Sequence, residues 1–321
     1  MTRASGSLLR SRRDLADLVM VAADTLDLPE EFVLKDFWAM EVLRAATTSA
    51  NEQGARAVFK GGTSLSRAWG VINRFSEDID LLLEFPPDTS KGAKERALKR
   101  ITQAVEDHLG VTAIVDTRTS KKGVKRNSRF VYEGATKGVT SEGVFLEMGV
   151  RGGPNPTHQK QVSSTVTEYI QAHQPGAQAE WQELSGFETW VLAPHRTLLE
   201  KLSLLHHLGS TYPDSAGALA LAGRHYYDVH CCLNHTDVLD ELAKADVAAL
   251  SQDIEDQSLR AGWPFTARPE GGYATSPAFA RNSAYHDAAH QAYTSSTRLF
   301  YGDFPEFDEC LSVVHREHRL L

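Results

Sequence analysis

Apolar residues recur every three or four positions near the start of the chain, and this spacing predicts two helices. The first covers residues 11–27, and Pro29 ends it. The second ends in the polar stretch 47–54. The apolar stripes are Leu15, Leu18, Ala22 and Leu26 in the first helix, and Val33, Phe37, Met40 and Leu43 in the second.

Two short strands follow, separated by a glycine turn and a helix. Ala57-Val58-Phe59 is an apolar strand that runs into Lys60-Gly61-Gly62-Thr63-Ser64, a turn whose hydroxyl pair suits the start of a helix. The next strand begins Asp78-Ile79-Asp80 and alternates with period two, which places both aspartates on one face. A helix reaching residue 109 and strands near 111–116, 129–133 and 144–150 complete a mixed α/β half.

The second half of the chain has a different pattern. Residues 154–186 are rich in Gln, Ser, Thr, Pro and Gly and predict a connector with one helix. Helical patterns then cover 195–208, 215–233 and 236–250, and more helix follows an irregular stretch at 263–277. The predicted fold class is α+β, with a mixed sheet and flanking helices over residues 1–156 and a mainly helical domain over residues 157–321.

Composition agrees with a globular protein. The chain has 321 residues, of which 41% are hydrophobic and 24% charged. It has no run of about 18 apolar residues, so no membrane span is expected. Asp14 and Asp17 interrupt the region where an export signal would need apolar residues. The three cysteines lack metal-ligand spacing and are expected to be core residues of a cytoplasmic protein.

The clearest chemical signal is the pair of carboxylates at Asp78 and Asp80. Like charges on one strand face repel, and a divalent cation removes that cost. Mg²⁺, or Mn²⁺ in its place, takes oxygen ligands from carboxylates and substrate phosphates. The glycine turn would present backbone N–H groups and the hydroxyls of Thr63 and Ser64 to a triphosphate. Taken singly, these elements fit a solvated strand face and a tight turn, whereas their order favours nucleotide chemistry.

The same residues carry a resemblance to a known family. Phe59-Lys60-Gly61-Gly62-Thr63-Ser64-Leu65, followed by Arg74-Phe75-Ser76-Glu77-Asp78-Ile79-Asp80-Leu81, closely resembles the AbiEii/AbiGii (MenT-like) toxin family of nucleotidyltransferases. Two later segments resemble its lysine-bearing helix and its arginine-to-aspartate helix: Pro194 with Leu199-Glu200-Lys201-Leu202, and Arg224-His225-Tyr226-Tyr227-Asp228. The resemblance implies a polymerase-β-like nucleotidyltransferase fold, with the second domain contributing Lys201 and Asp228 to the site.

The resemblance also implies a reaction. A nucleoside monophosphate would pass from an NTP to the 3′ end of tRNA, blocking aminoacylation and hence translation. The protein would then be the toxin of a toxin–antitoxin pair, with a cognate antitoxin protein as partner. Asp78 and Asp80 would hold Mg²⁺. The nucleotide-binding residues would be Lys60, Gly61, Gly62, Thr63, Ser64 and Lys201.

Three further residues are candidates for the catalytic set. Glu147 is an acid inside an apolar strand and would be a third carboxylate, with a surface-facing position as the alternative. Lys201 would reach the β- and γ-phosphates, with an ordinary surface lysine as the alternative. Asp228 lies in an apolar and aromatic helix, where it would orient Lys201 or Arg224, or form a buried structural pair with Arg224.

Ser76 is a candidate regulatory residue. It lies two residues before Asp78, so its phosphorylation would place about two negative charges beside the proposed metal ligands. Modification by a partner kinase would silence the enzyme, and full activity in a Ser76→Asp variant would contradict this role.

Charge is unevenly distributed along the chain. The formal net charge is -8, yet residues 91–129 hold eleven basic and four acidic residues, a local balance of +7. This segment is a candidate track for an RNA backbone. Lys121, Lys122, Lys125 and Arg126 are expected in a mobile loop that closes over substrate. The alternative is a solvated helix face and a charged loop.

Two other functions fit the sequence. A nucleotidyltransferase could act on a small-molecule or protein hydroxyl, although the basic segment favours RNA. A non-catalytic module could bind nucleotide or RNA, but it would have little use for two repelling carboxylates.

Overall fold

The computed structural model describes residues 8–11, 13–76, 78–135, 138, 141–176, 181–281 and 283–321. Within these ranges the strands are β1 (Arg56–Lys60), β2 (Asp78–Glu84), β3 (Ala113–Val115), β4 (Lys125–Phe130), β5 (Val144–Gly149), β6 (Thr157–Val162) and β7 (Phe187–Leu192). The helices are α1 (Asp14–Leu26), α2 (Glu30–Glu52), α3 (Gly61–Arg67), α4 (Lys91–Leu109), α5 (Thr165–His173), α6 (Pro194–Ser210), α7 (Ala216–Ala222), α8 (Arg224–Asn234), α9 (Thr236–Lys244), α10 (Val247–Ala261), α11 (Ala284–Ser296) and α12 (Phe307–Arg316).

The strands form one mixed sheet in the order β3-β4-β5-β2-β1-β7-β6. β2 pairs parallel to β5 and antiparallel to β1, and β1 also pairs parallel to β7. β4 pairs antiparallel to both β3 and β5. The predicted α+β class, a mixed sheet with flanking helices followed by a mainly helical region, is confirmed.

The chain forms two compact units whose boundary differs from the predicted one at residue 157. The first unit comprises the described residues of 1–68, 76–150 and 157–191, and the second comprises those of 69–75, 151–156 and 192–321. Residues 157–191 belong with the sheet because they supply β6 and most of β7. The second unit also takes the short segment 69–75, which precedes β2 in the chain.

The predicted connector at 154–186 contains a strand that the sequence pattern does not reveal. β6 has the polar sequence Thr-His-Gln-Lys-Gln-Val and stays largely exposed at the sheet edge. Apart from Val162, no residue of β6 is buried, so there is no buried face to produce a period-two alternation. The described residues between 154 and 186 otherwise include the expected helix, α5.

The core of the first unit lies between the sheet and the helices α2 and α4, which pack on each other. Three residues of α4 at helical spacing, Leu98, Ile101 and Val105, are fully buried. The side chain of Ser90 caps this helix by accepting a hydrogen bond from the backbone N–H of Ala93 at 3.2 Å. Gly110 ends it in the left-handed region.

The second unit is helical. α6 packs against α8, and α8 packs against α12. The pattern predicted as one helix at 215–233 is divided into α7 and α8, and the pattern at 236–250 into α9 and α10. In the described part of the chain, no helix combines the length and the apolar character that crossing a membrane requires.

Candidate active site

The glycine turn is shaped by a close approach to Asp80. β1 ends at Lys60, which pairs with Asp80 across the antiparallel register, and α3 begins at Gly61. Gly61 has φ +79°, and a side chain there would overlap the Asp80 carboxylate. The left-handed backbone favours glycine at this position, and a side chain would also have to displace the Asp80 carboxylate.

The hydroxyls that follow the glycines are used inside the fold. Thr63 donates from its Oγ1 to the backbone carbonyl of Asp78 at 2.6 Å, which ties α3 to the start of β2. Ser64 donates from its Oγ to the carbonyl of Gly61 at 2.9 Å and is completely buried. Both hydroxyl protons are therefore committed to the geometry of the turn.

Asp78 and Asp80 lie on one face of β2, as the alternating pattern predicts. Both are partly exposed, whereas Ile79 between them is fully buried. Hard carboxylate oxygens held on one face beside a glycine turn fit the ligands that Mg²⁺ takes, which are one or two carboxylates together with substrate phosphates. Among the described residues, no set of three or more His, Cys, Asp or Glu side chains is arranged to hold a metal ion.

Glu147 lies beside Asp80 in the sheet. The two residues are register partners in the parallel pair of β2 and β5, so they share a face, at about the 4.8 Å spacing of neighbouring strands. The Glu147 carboxylate forms an ion pair with Lys125 Nζ at 2.8 Å. Glu147, the predicted third carboxylate, thus lies on the same face of the sheet as Asp80 and is paired with Lys125.

The four basic residues expected in a mobile loop instead occupy a structured turn and a strand. Lys121 and Lys125 exchange backbone hydrogen bonds of 2.8 and 2.9 Å, and Lys125 begins β4. Arg126 donates to Thr102 Oγ1 of α4 at 2.9 Å. Of these four residues, Lys121 and Lys122 are exposed, whereas Lys125 and Arg126 are half-buried.

The turn is fastened to the start of α4. The Gly123 N–H donates to Glu95 Oε2 at 2.8 Å. A side chain at Gly123 would run into the backbone of Lys91, so the turn lies directly on the first turn of α4. These contacts bring the exposed Lys121 and Lys122 next to the basic N-terminal end of α4 and explain why the segment is held in place.

In the second unit, Asp228 is a fully buried carboxylate shared by two cations. Arg74 donates to it with both arms of its guanidinium, Nε to Oδ1 at 2.6 Å and Nη2 to Oδ2 at 2.8 Å. Lys201 Nζ lies 2.7 Å from Oδ2. Burial alone would raise the pKa of Asp228, but the charges of Arg74 and Lys201 hold it well below its usual range. We call Arg74, Lys201, His225 and Asp228 the Asp228 cluster.

His225 completes this cluster as a neutral side chain. Burial and the Lys201 charge lower the pKa of His225 to about 3. Its Nδ1 lies 3.1 Å from Lys201 Nζ. Nδ1 also lies 3.4 Å from Asp228 Oδ2, which is a longer contact. An ammonium group only donates, so the shorter contact assigns Nδ1 as its acceptor and the ring hydrogen to Nε2.

The cluster differs from the sequence expectation in its arginine. Arg224 was expected beside Asp228, but it donates to the backbone carbonyl of Leu221, and Arg74 is the arginine that pairs with Asp228. Lys201 and Asp228 do meet. Arg74 and His225 were missed as partners, although both stand inside the motifs that carry the family resemblance. A buried aspartate in an apolar helix signals the need for cations but not which ones.

Ser76 is partly exposed and directly follows the segment 69–75. Glu77, within the same motif, lies outside the described residues.

Comparison with known proteins gives a family match over most of the chain. Residues 41–313 match the family described as "Nucleotidyl transferase AbiEii toxin, Type IV TA system". Among solved structures, the chain is similar to MenT4, a nucleotidyltransferase toxin from Mycobacterium tuberculosis H37Rv, at 18% identity and a TM-score of 0.47, covering 94% of this chain and 96% of that chain. That likeness is too low to carry an argument about function. No curated protein matches the chain.

Replacing Gly61 with alanine should cost more stability than the same change at Gly54. Both glycines are left-handed, with φ +79° and +69°, and this backbone costs alanine about 1 kcal/mol. At Gly61, unlike Gly54, the new methyl group must also push the Asp80 carboxylate aside, which should add about 0.5–1.5 kcal/mol. Urea unfolding of both variants measures the difference, and equal losses would show that the Asp80 contact exerts no constraint.

Acidification should destabilise the protein partly through His225. The unfolded chain protonates this histidine near its ordinary pKa of 6.5, whereas the folded protein does so only near 3. Between these values the unfolded state binds more protons, so falling pH favours unfolding, by up to about 1.4 kcal/mol per pH unit from this group.

A His225→Asn variant keeps a side-chain acceptor but cannot titrate, so its free energy of unfolding should fall less steeply between pH 6.5 and 4.5. The other histidines are common to both proteins and cancel in the comparison. Parallel pH profiles from urea unfolding would contradict the depressed pKa.

Proposed function

The chain belongs to the nucleotidyltransferase AbiEii toxin family of type IV toxin–antitoxin systems, and from this premise we propose that it moves a nucleoside monophosphate from an NTP to the 3′ end of tRNA. A block at that end would stop aminoacylation and hence translation. The observation that carries the proposal is the Asp78–Asp80 pair on one strand face, packed against the left-handed Gly61.

In the proposed reaction, the acceptor hydroxyl oxygen bonds to the α-phosphorus. The bond from that phosphorus to the bridging oxygen breaks, pyrophosphate leaves, and the hydroxyl gives up its proton to the solvent. Asp78 and Asp80 would bind Mg²⁺ through their carboxylates. When bound, the ion stabilises the negative charge that develops on the phosphate oxygens. Asp80 is held in place for this task by β-sheet pairing on both sides, to Lys60 and to Glu147.

Residues 60–64 remain our proposal for a phosphate-binding turn. The committed hydroxyls of Thr63 and Ser64 indicate that their part is to shape the turn, and that the backbone N–H groups at its start would donate to phosphate oxygens. Lys60, Gly61 and Gly62 form that start.

The Asp228 cluster supports a phosphate-binding role for Lys201. Arg74 and Lys201 carry two positive charges, Asp228 carries one negative charge, and His225 is neutral, so the cluster has a net charge of +1. Lys201 is only 7% exposed. A desolvated excess of positive charge is stabilised by an anion, and the triphosphate of an NTP supplies one.

For the acceptor we propose that RNA binds along the basic face formed by the first turns of α4 and the turn at 121–125. Lys91, Lys99, Lys121 and Lys122 are exposed there. The Lys125 ammonium is engaged by Glu147, so its proposed part is to hold that carboxylate rather than to bind RNA. A cognate antitoxin, a cytoplasmic location and a regulatory role for Ser76 complete the proposal.

The direct test incubates the protein with total tRNA, Mg²⁺ and each α-labelled NTP in turn. Label should enter tRNA with the wild type and fall at least about 100-fold with Asp80→Asn, because the variant loses a carboxylate that would bind the charge-stabilising Mg²⁺. Asp88→Asn, an exposed acid beyond β2, is the matched control and should label normally. Label that enters a small molecule or protein, or none at all with any NTP, would contradict the tRNA acceptor.

Removing the two exposed turn lysines should weaken RNA binding and change its salt dependence. Each lost phosphate contact lowers the slope of log affinity against log salt by roughly 0.7–0.9, so Lys121→Ala with Lys122→Ala should flatten it by about 1.5. Lys244→Ala, an exposed lysine in the second unit, is the control. Filter binding of labelled tRNA at several salt concentrations provides the slopes. An unchanged slope in the double variant would contradict RNA binding at this face.

A further inference from the structure

We infer that Arg74 and His225 are positioning residues that direct one N–H of Lys201 toward a phosphate oxygen of the nucleotide. The inference rests on the proposed function, since it assumes that Lys201 binds the triphosphate. It adds two residues that the motif comparison leaves without a role.

Among the residues that the structure describes, the partners of the Lys201 ammonium group leave one donor direction. A lysine ammonium has three N–H bonds in a tetrahedral arrangement. One points to Asp228 Oδ2 at 2.7 Å, and a second to His225 Nδ1 at 3.1 Å. With these two acceptors in place, the direction of the third N–H is set by geometry. The Lys201 ammonium group therefore offers one N–H in a fixed direction, instead of a positive charge on a flexible side chain.

Arg74 controls the first of these acceptors. Its two-armed contact with Asp228 fixes the plane of the carboxylate, and both side chains are nearly or completely buried. The third guanidinium nitrogen of Arg74 donates to the carbonyl of Phe75 at 2.9 Å. Without Arg74, the carboxylate would be free to rotate, and Lys201 would be the one cation of the Asp228 cluster left to pair with it.

The backbone around Arg74 is fastened to the same unit on both sides. The Asn73 N–H donates to the Tyr227 hydroxyl at 3.0 Å, and the Phe75 N–H donates to the carbonyl of Leu299 at 2.8 Å. Tyr227 directly precedes Asp228 in α8, and Asn73 directly precedes Arg74. The hydrogen bond between Asn73 and Tyr227 therefore fixes the backbone of Arg74 relative to Asp228.

His225 must stay neutral to act as the second acceptor. A protonated ring would lose the Nδ1 lone pair and repel Lys201. The facing groups are Lys201, Asp228 and, on its own helix, Arg224. The two cations disfavour a further positive charge, while Asp228 alone favours it. Burial with these neighbours keeps the acceptor available at neutral pH.

A buried ion pair can also be purely structural, so the test must separate position from stability. The probe is inorganic tripolyphosphate with Mg²⁺, titrated calorimetrically into the full chain. His225→Leu removes the acceptor, and His225→Asn restores a side-chain oxygen near Nδ1. Arg74→Gln removes both the charge and the two-armed contact with Asp228, and Arg74→Lys restores only the charge. Lys244→Ala is the control, because this exposed lysine of the second unit lies outside the Asp228 cluster.

We expect His225→Leu and Arg74→Gln to bind tripolyphosphate about tenfold more weakly, the loss for one hydrogen bond to a charged group. His225→Asn should recover to within about threefold, Arg74→Lys should be intermediate, and Lys244→Ala should match the wild type. Urea unfolding of every variant checks folding. If Arg74→Gln does not fold, the two His225 variants decide the question alone.

Wild-type affinity in folded His225→Leu, equal losses in His225→Leu and His225→Asn, or no binding by the wild type would each overturn the inference. The same variants are assayed for transfer to tRNA. If tripolyphosphate affinity depends on His225 but no nucleotide is transferred to tRNA, the proposed function is contradicted and the inference stands. If nucleotide is transferred to tRNA but tripolyphosphate affinity is the same in all variants, the proposed function stands and the inference is overturned.

Discussion

The antiparallel register of β1 and β2 is the constraint on which the candidate active site depends. It pairs Lys60 with Asp80, so the residue that follows the strand, Gly61, falls against the Asp80 carboxylate. A slip by one residue would turn Asp78 and Asp80 to the buried face and Ile79 to solvent, which the full burial of Ile79 opposes. Hydrophobic burial on one face thus fixes charged groups on the other.

In the second unit, the main physical constraint is the burial of a charged carboxylate, that of Asp228. Asp228 is taken entirely out of water, and its desolvation is offset by a two-armed arginine and a lysine. The charges do not cancel, because two cations meet one carboxylate and the neighbouring histidine is neutral. This excess of positive charge is the basis of the proposed binding of an anionic phosphate. The same excess keeps His225 from protonating.

Much of the fold could be predicted from local patterns. The long helices α2, α4 and α6 and the strands β1, β2 and β5 carry regular apolar spacing, and the structure has them at the expected places. β6 could not be predicted, because a polar edge strand has no buried face to leave a pattern. β7, next to β1, was missed too, so the boundary at 157 separated residues that share one sheet. The sequence shows that residues 91–129 are basic. It does not show that the basic residues 121–126 are divided between an exposed turn and the strand β4.

By itself the sequence determined that Asp78 and Asp80 share a face and that a glycine turn precedes them, because both properties follow from the backbone geometry of a few consecutive residues. It also marked Lys201 and Asp228 through a resemblance. Only the tertiary structure decided which groups meet. Arg74 and Asp228 are 154 positions apart, and Lys125 reaches Glu147 from a neighbouring strand. Such pairings depend on how distant elements pack, and no local pattern of residues encodes that.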